Sequence, residues 1–256
     1  MTNITEANKD LRRSKSLVFT EDLGRITLDD SIWHHLINVL RIDSGHLLAV
    51  SDGNGSYQIF RTLATIAALR TAKAVRPSNK KTSQHHFHDF FIPQTEIIYT
   101  PKNSKEIAIG LAICKTDRLE WAIQKLTEVG VDHIWLLAAE RSQIKSSGTK
   151  LNYDRLRKII LEAASQAKRP RLCLLHELCS VQNGYLEMSQ IGKVAFAEPG
   201  GDKFSAELSA IMIGPEGGWT QDELGLSQNR ISISDAILRV ETAAVISGYL
   251  LSEGAR

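Results

Sequence analysis

Cysteine and long apolar runs are scarce in this chain. The cysteines are Cys114, Cys173 and Cys179, and none of them belongs to a C-x-x-C pair, so neither a disulfide framework nor a zinc site is expected. No stretch approaches the roughly 18 apolar residues that a membrane-spanning helix needs. The first ten residues are polar and lack the apolar core of a signal peptide. We therefore expect a cytoplasmic protein with no membrane partner and no bound metal.

Net charge is also small. The chain has 31 basic and 29 acidic residues, a formal net charge of +2 and a pI near 8.4. This balance permits an RNA partner without requiring one, and we expect no DNA partner. With 256 residues, 43% of them hydrophobic, the chain can bury a substantial core in one or two domains.

The familiar nucleotide-binding and nucleophile loops are missing. The sequence contains no G-x-G-x-x-G after a strand, no G-x-x-x-x-G-K-[ST] loop and no G-x-S-x-G elbow. Dinucleotide binding of the usual type, P-loop chemistry and serine hydrolysis are therefore not indicated.

Two short segments near the C-terminus are the strongest features that are present. Residues 213–220 read IGPEGGWT and residues 236–243 read AILRVETA, each between a strand-like and a helix-like run. Glycine lets a backbone approach a ligand closely, and a helix start offers unpaired N–H groups. A single glycine loop is an ordinary tight turn in most proteins, but two such segments close in sequence predict one cofactor pocket built mainly from backbone.

The N-terminal part of the chain is predicted to form a small β-barrel-like domain. Residues 15–75 read as short strands with one helix at residues 30–41, and DGNG at residues 52–55 predicts a hairpin turn between residues 47–50 and 57–60. The polar stretch that follows is the best linker candidate, and we place the linker at residues 77–95. His85, His86 and His88 end this stretch without a further ligand at suitable spacing, so solvated side chains are favoured over a metal site.

From residue 96 onward strand-like and helix-like runs alternate, which predicts an α/β layer with a mostly parallel sheet. Asp117 with Glu120 and Thr220 with Glu223 have capping-box spacing, and Gly130 is placed to end a helix. The predicted strands are residues 107–113, 131–139, 172–175, 193–197 and 210–213, and the predicted long helices are residues 117–129, 152–167 and 240–251.

The two C-terminal segments resemble the signature of the bacterial 16S ribosomal RNA 3-methyluridine methyltransferase family, in the SPOUT class of knotted methyltransferases. That family shows GPEGG-F/W-S/T-x-x-E followed by ILR-T-ETA, and this chain has GPEGGWTQDE at residues 214–223 and ILRVETA at residues 237–243. Further blocks resemble the family in the same order along the chain: HLINVLR at residues 35–41, DG at residues 52–53, KTDRLE at residues 115–120, QKLTEVG at residues 124–130 and EAASQAKR at residues 162–169.

Departures from the family pattern fall near the second segment. The family has L-G-x-R-I-L-R where this chain has ISDAILR at residues 233–239, so Ser234 replaces a glycine and Ala236 an arginine. Ser234 would be strained in a turn that needs positive φ, and Ala236 removes a cation from the expected pocket. Cys173 stands where a proline is usual.

The resemblance implies an α/β fold with a C-terminal SPOUT domain, residues 96–256, containing a trefoil knot and a mostly parallel sheet. It also implies a PUA-like RNA-binding β-barrel at residues 1–76. The implied cofactor is S-adenosylmethionine, the implied substrate is N3 of a uridine in the decoding region of 16S rRNA within the small ribosomal subunit, and the implied assembly is a homodimer.

The chemistry of methyl transfer to such a uridine, together with the resemblance, indicates the site residues. Arg239 is the candidate for stabilising a uridine anion, and its alternative is a salt bridge to Glu241 or Glu216. Glu216 is the candidate base or orienting group, and its alternatives are structural, a helix cap or a pair with an arginine. The implied cofactor-binding residues are Ala138, Ile213, Gly214, Gly217, Gly218, Ile233, Ile237 and Leu238. The implied RNA-binding residues are Arg12, Arg13, Arg118, Arg141, Lys168 and Arg169. Trp219 is expected to pack against the glycine turn.

Two other functions stay open. One is a SPOUT methyltransferase that acts on tRNA or on a ribose 2′-oxygen, although residues 233–243 lack the asparagine-rich motif usual in the ribose class. The other is a non-catalytic RNA-binding or ribosome-assembly protein that kept the fold, which the changes at Ser234 and Ala236 allow.

Overall fold

The computed structural model describes residues 4–27, 29–65, 67, 68, 71, 87–102, 105–142 and 151–255. The chain divides into two compact units: Met1–Pro101 with Ala164–Leu172, and Lys102–Ala163 with Cys173–Arg256. This division differs from the predicted one, because the first unit runs on to residue 101 and also takes in residues 164–172.

The first unit contains a five-stranded sheet in the order β1-β2-β3-β4, with β5 also paired to β3. Strands β1 and β2 are parallel and the other pairs are antiparallel. Its elements are α1 (Ile4–Arg13), β1 (Ser16–Phe19), α2 (Asp30–His34) continued by a π-helical turn (His35–Val39), β2 (Leu47–Ser51), β3 (Ser56–Thr62), α3 (Phe87–Phe90), β4 (Phe91–Pro93) and β5 (Ile98–Tyr99).

The predicted hairpin is confirmed. Strands β2 and β3 pair from Leu47 opposite Arg61 to Ser51 opposite Tyr57, and both glycines of the connecting turn have positive φ. The predicted helix at residues 30–41 is also present as α2 with its π-helical continuation, and Asp29 caps it by accepting from the Ile32 N–H at 2.8 Å.

Residues 164–172 belong to the first unit through hydrogen bonds to the hairpin turn. The Gly55 N–H donates to the Pro170 carbonyl at 3.1 Å, the Leu172 N–H donates to the Gly53 carbonyl at 2.9 Å, and the Ser51 hydroxyl donates to Pro170 at 2.7 Å. Sequence spacing gave no sign of this association, since more than a hundred positions separate the partners.

The stretch predicted as a linker is structured at its described end. Residues 77–86, which include His85 and His86, lie outside the described residues. Phe87 and Phe91 are fully buried in the core of the first unit with their rings stacked 4.5 Å apart, and β4 pairs with β3. Burial of these aromatic rings accounts for order where a polar linker was expected.

The second unit is an α/β layer whose described strands all pair in parallel, in the order β12-β10-β11-β6-β7-β8, with β9 also paired to β7. This confirms the predicted α/β fold with a parallel sheet. Its elements are β6 (Ala108–Ala112), α4 (Thr116–Val129), β7 (His133–Ala138), α5 (Tyr153–Gln166), which runs into the first unit, β8 (Leu174–Leu175), β9 (Cys179–Ser180), α6 (Val181–Ser189), β10 (Lys193–Asp202), β11 (Leu208–Ile213), α7 (Gln221–Leu224), β12 (Arg230–Ile231) and α8 (Val240–Gly254).

One of the two predicted capping boxes is wrong. Lys115 rather than Asp117 occupies the N-cap of α4, and the side chain of Glu120 bonds instead to Arg155 on α5. Asp117 lies in the first turn of α4, where its negative charge interacts favourably with the helix dipole. The Thr220–Glu223 capping box is confirmed in both of its hydrogen bonds, and Gly130 ends α4 in the left-handed conformation.

Three helices were absent from the sequence-based prediction: the short α3, which falls in the predicted linker, and the longer α1 and α6. In α1 the apolar residues Ala7 and Leu11 are buried one turn apart in a mostly polar sequence, and α6 buries Val181, Gly184 and Met188. Stripes this narrow give little periodic signal in a single sequence. Among the described residues, none of these helices has the length and hydrophobicity that crossing a bilayer requires.

Candidate functional site

A cavity of about 520 Å³ lies in the second unit at the carboxyl edge of the parallel sheet. Three segments line it: residues 197–199, which follow the part of β10 that pairs with β11, residues 213–219 at and after the end of β11, and residues 232–243, which lead into α8. Strands β10 and β11 are parallel neighbours, so the chain leaves both of them at the same edge. The two segments singled out in the sequence, IGPEGGWT at residues 213–220 and AILRVETA at residues 236–243, therefore contribute to the same pocket.

The glycine turn needs glycine for two different reasons. A β-carbon on Gly214 would lie 2.9 Å from Cε2 of the Trp219 indole, closer than real contacts allow. Gly218 has φ of +70° with open space around it, so there the backbone conformation is what disfavours a side chain. The expected packing of Trp219 against this turn is confirmed.

Hydrogen bonds from neighbouring elements fix the turn. The Trp219 indole N–H donates to the Ala197 carbonyl at 3.1 Å, which ties the turn to the β10 segment. The guanidinium of Arg141 donates to the Trp219 carbonyl at 3.0 Å, and the Glu140 N–H donates to the Glu223 carboxylate at 2.9 Å. The wall of the cavity is thus held before any ligand binds, which lowers the entropic cost of binding.

The lining segment at residues 232–243 contains Ser234, for which backbone strain in a turn with positive φ was expected. Among the described residues, the non-glycine positions with positive φ are Arg41 and Lys168, so Ser234 is not strained in this way. Its hydroxyl accepts a hydrogen bond from the Ala236 N–H at 3.1 Å, and its carbonyl accepts one from Ser232 at 3.2 Å. The serine side chain therefore stabilises a turn made without the left-handed conformation.

The two candidate catalytic residues both line the cavity but differ in their partners. Arg239 is the N-cap residue of α8, is exposed, and forms no ion pair with any described residue. Glu216 forms an ion pair with Arg118, with 3.3 Å between Oε1 and NH1, and Arg118 also lies 3.7 Å from Oε1 of Glu241. The alternative that Arg239 pairs with Glu216 or Glu241 is not found among the described residues, where both carboxylates pair with Arg118 instead.

Cys114 follows β6 by two residues, interacts electrostatically with Arg118, Glu216 and Glu241, and is 5% exposed. Burial raises the pKa of its thiol to about 12, and the nearby carboxylates of Glu216 and Glu241 add to the rise. The thiol is therefore protonated at neutral pH, which makes it a poor nucleophile.

Most of the residues predicted to bind the cofactor line the cavity. Ile213, Gly214, Gly217, Gly218, Ile233, Ile237 and Leu238 do so, whereas Ala138 does not. Ala138 ends β7, and β6 separates β7 from β11 in the sheet. Ile237 is 92% exposed, which leaves an apolar side chain at the mouth of the pocket.

Sequence reasoning missed the contribution of β10. Ala197, Glu198 and Pro199 line the cavity although they precede the glycine turn by some fifteen residues. The available signal was the parallel sheet itself, because its adjacent strands end at one edge. A single sequence does not reveal the order of the strands, and only the structure shows that β10 is the neighbour of β11.

The residues predicted to contact RNA lie in both units. Arg12 and Arg13 are exposed in the last turn of α1, and Lys168 and Arg169 are half-buried just after α5. Burial lowers the pKa of the Lys168 ammonium. In the second unit Arg141 is exposed while its guanidinium bonds to Trp219, and Arg118 is engaged by the two carboxylates. Contact with RNA stays a prediction for all of them.

The part of the chain that the structure describes holds no group of three histidine, cysteine or acidic side chains placed to bind a metal ion. Of the three histidines at residues 85–88, His88 is described, and its ring lies 5.6 Å from the ring of Phe87.

These features define an α/β protein with a preformed, backbone-lined ligand pocket at a sheet edge. The sequence profile of the RNA methyltransferase domain family matches residues 101–252, and the chain belongs to this family. The match covers all three segments that line the cavity, so the resemblance inferred from GPEGGWTQDE and ILRVETA is confirmed.

Individual relatives are similar along most of the chain. A ribosomal RNA small subunit methyltransferase E of Rickettsia conorii is 31% identical over 164 residues, which cover 59% of this chain and 65% of the relative. The protein of the same name from Bacillus subtilis is 27% identical over 242 residues, covering 86% of this chain and 85% of the relative.

A solved structure shows the same fold. It is a ribosomal RNA small subunit methyltransferase E from Neisseria gonorrhoeae bound to S-adenosyl methionine. Its TM-score to this chain is 0.67 at 20% identity, and the match covers 91% of this chain and 94% of that structure.

Proposed function

We propose that this chain transfers a methyl group from S-adenosylmethionine to N3 of a uridine in 16S rRNA. The observation that carries the proposal is the meeting of two segments, residues 213–219 and 232–243, in one cavity with Arg239 at its wall. The names of the relatives, which include ribosomal RNA small subunit methyltransferase E, support rRNA as the substrate.

The residues present fit S-adenosylmethionine. The cavity volume of about 520 Å³ falls in the range of about 300 to 1,000 Å³ that small-molecule sites occupy. Its walls combine apolar side chains, including Ile213 and Leu238, with the exposed backbone of the glycine turn, a combination suited to an adenine ring. Gly214, Gly217, Gly218, Ile233 and Ile237 would complete the cofactor-binding set. When bound, the cofactor supplies a methyl group on a sulfonium centre.

The reaction requires the protein to stabilise a uridine anion, because N3 carries a proton at neutral pH and must lose it. Arg239 is the pocket cation that forms no ion pair with a described residue, so its charge is available to a uridine carbonyl oxygen. Glu216 is held by Arg118, which favours an orienting role over that of a base. The proton would then pass to solvent or to a group of the substrate.

RNA recognition would involve both units. We propose that the first unit is a PUA-like RNA-binding domain and that Arg12 and Arg13 contribute phosphate contacts, together with Lys168, Arg169 and Arg141. Further parts of the proposal are a uridine in the decoding region of the small subunit, a trefoil knot around the cofactor pocket, a homodimer and a cytoplasmic location.

The test is methyl transfer from labelled S-adenosylmethionine to small ribosomal subunits isolated from a strain that lacks this activity. Nucleoside mass spectrometry of the digested rRNA should show 3-methyluridine. Label in another nucleoside would support the proposed cofactor but contradict the proposed substrate. Label in tRNA alone would favour the tRNA alternative. If no label entered any RNA and calorimetry showed no binding of the cofactor, the non-catalytic alternative would be favoured.

A further inference from the structure

Arg118 joins two walls of the cavity from outside it. The residue lies on α4 and does not line the pocket, whereas its two partners belong to the lining segments or adjoin them. Glu216 is part of the glycine turn, 3.3 Å from NH1 of Arg118, and Glu241 lies in the first turn of α8, 3.7 Å from Nε. One guanidinium thus connects the turn after β11 with the start of α8.

Because the Glu241 carboxylate is buried, its ion pair with Arg118 contributes to the stability of the fold. Glu241 is 9% exposed, and its Oε2 atom has no hydrogen-bond partner among the described residues. A buried carboxylate without a compensating charge is strongly destabilising. Among the described residues, Arg118 is the cation that forms an ion pair with Glu241, so it supplies the compensating charge.

The arrangement also argues against the role expected from the sequence. An arginine that binds RNA phosphate usually presents a free guanidinium to solvent. The Arg118 side chain is 27% exposed and faces two carboxylates, so a phosphate would have to compete with both of them.

We propose that Arg118 is a positioning residue that sets the separation between the glycine turn and the start of α8, and thereby the shape of the cofactor pocket. The reference to a cofactor rests on the proposed function, but the mechanical link between the two walls does not. Because the link acts on the protein alone, it can be tested without any ligand.

The first measurement is hydrogen exchange by mass spectrometry on the unliganded protein. In Arg118→Gln, the hydrogen-bonded amides of the two walls, those of Gly218 and Ala243, should exchange roughly tenfold faster, because both walls lose their common partner. Arg155→Gln is the matched control, since Arg155 also pairs with a glutamate of α4 but touches neither wall. Unchanged exchange of the glycine turn in Arg118→Gln would overturn the proposal.

A second variant keeps the test decisive if Arg118→Gln does not fold. Arg118→Gln with Glu241→Gln removes the buried charge as well as its partner, so stability should recover. The glycine turn still lacks its link in this double variant, and its amides should still exchange faster than those of the wild type. Exchange at the wild-type rate in the double variant would contradict the proposed link.

Binding measurements then separate positioning from phosphate contact. Calorimetry should show that both Arg118 variants bind S-adenosylmethionine about tenfold more weakly, since a displaced wall misplaces the contacts of the ligand. The salt dependence of RNA binding should equal that of the wild type, and a slope reduced by one phosphate contact would favour the RNA role instead. If the wild type bound no cofactor, the proposed function would fail, while the exchange data would still decide the role of Arg118.

Discussion

The indole of Trp219 lies directly over Gly214, so that a β-carbon at residue 214 would come within 2.9 Å of the indole Cε2. The same indole donates its N–H to the Ala197 carbonyl at 3.1 Å. One aromatic side chain therefore requires a glycine at the start of the turn and also fixes the turn to β10. The conformation of the pocket wall depends on this pair of contacts.

Replacement of Gly214 by alanine should displace Trp219 and weaken cofactor binding by about tenfold or more, because the methyl group needs space that the indole fills. Gly218→Ala is the matched comparison, since its methyl group meets no atom within 4 Å and costs only about 1 kcal/mol of backbone strain. Calorimetry of S-adenosylmethionine binding and the Trp fluorescence spectrum measure both effects. Equal losses in the two variants would contradict the steric explanation.

Arg239→Ala should reduce turnover far more than cofactor binding. Loss of one preorganised cation at a developing anion lowers the rate by roughly a hundredfold. Arg239 is exposed at the N-cap of α8, so we expect its side chain to contribute little to the affinity for the cofactor. Single-turnover methylation and calorimetry give the two numbers, and Arg239→Lys should recover part of the rate. A parallel fall in both quantities, or in neither, would exclude the assigned role.

Reversal of charge at Arg12 and Arg13 should weaken RNA binding and flatten its dependence on salt. Removal of one cation that neutralises a phosphate lowers the slope of log affinity against log salt by about 0.7 to 0.9. Both side chains are exposed at the end of α1, so the change should leave the fold intact. Lys203→Glu, another exposed reversal, is the control, and a slope that matches this control would show that α1 does not contact RNA.

The second unit should lose stability in mild acid through His176. Its ring stacks on Trp135 with 3.6 Å between ring centroids, and its Nε2 lies 3.1 Å from Nδ1 of His133. Burial lowers the pKa of His176 below the ordinary value of 6.5, and the charge of His133 lowers it further. The native state therefore binds fewer protons than the unfolded state, and stability falls as pH decreases below 6.5.

Urea unfolding monitored by Trp fluorescence between pH 5 and 7.5 checks this sign. One proton taken up on unfolding gives a slope of up to about 1.4 kcal/mol per pH unit. His176→Gln should flatten the slope below pH 6.5, whereas substitution of the exposed His34 should not. A wild-type stability that rises towards acid would refute the assignment.

Local sequence chemistry determined much of the fold. The DGNG turn between β2 and β3 and the Thr220–Glu223 capping box depend on residues within a few positions of each other, and both are found as predicted. The alternation of strand and helix also predicted the parallel direction of the strands, since a helix that follows a strand returns the chain to the edge where the strand began. The capping box at Asp117 failed because Glu120 reaches Arg155, a partner 35 residues away in sequence.

The sequence by itself therefore determined the family, the α/β fold of the second unit and the two segments that line the pocket. Tertiary structure alone decided that β10 completes the pocket, that residues 164–172 belong with the first unit, and that Arg118 rather than Arg239 pairs with Glu216 and Glu241. The physical reason is the range of the interactions. Turns and caps form between near neighbours, whereas strand order and ion pairs depend on distant parts of the chain that come together only when the core forms.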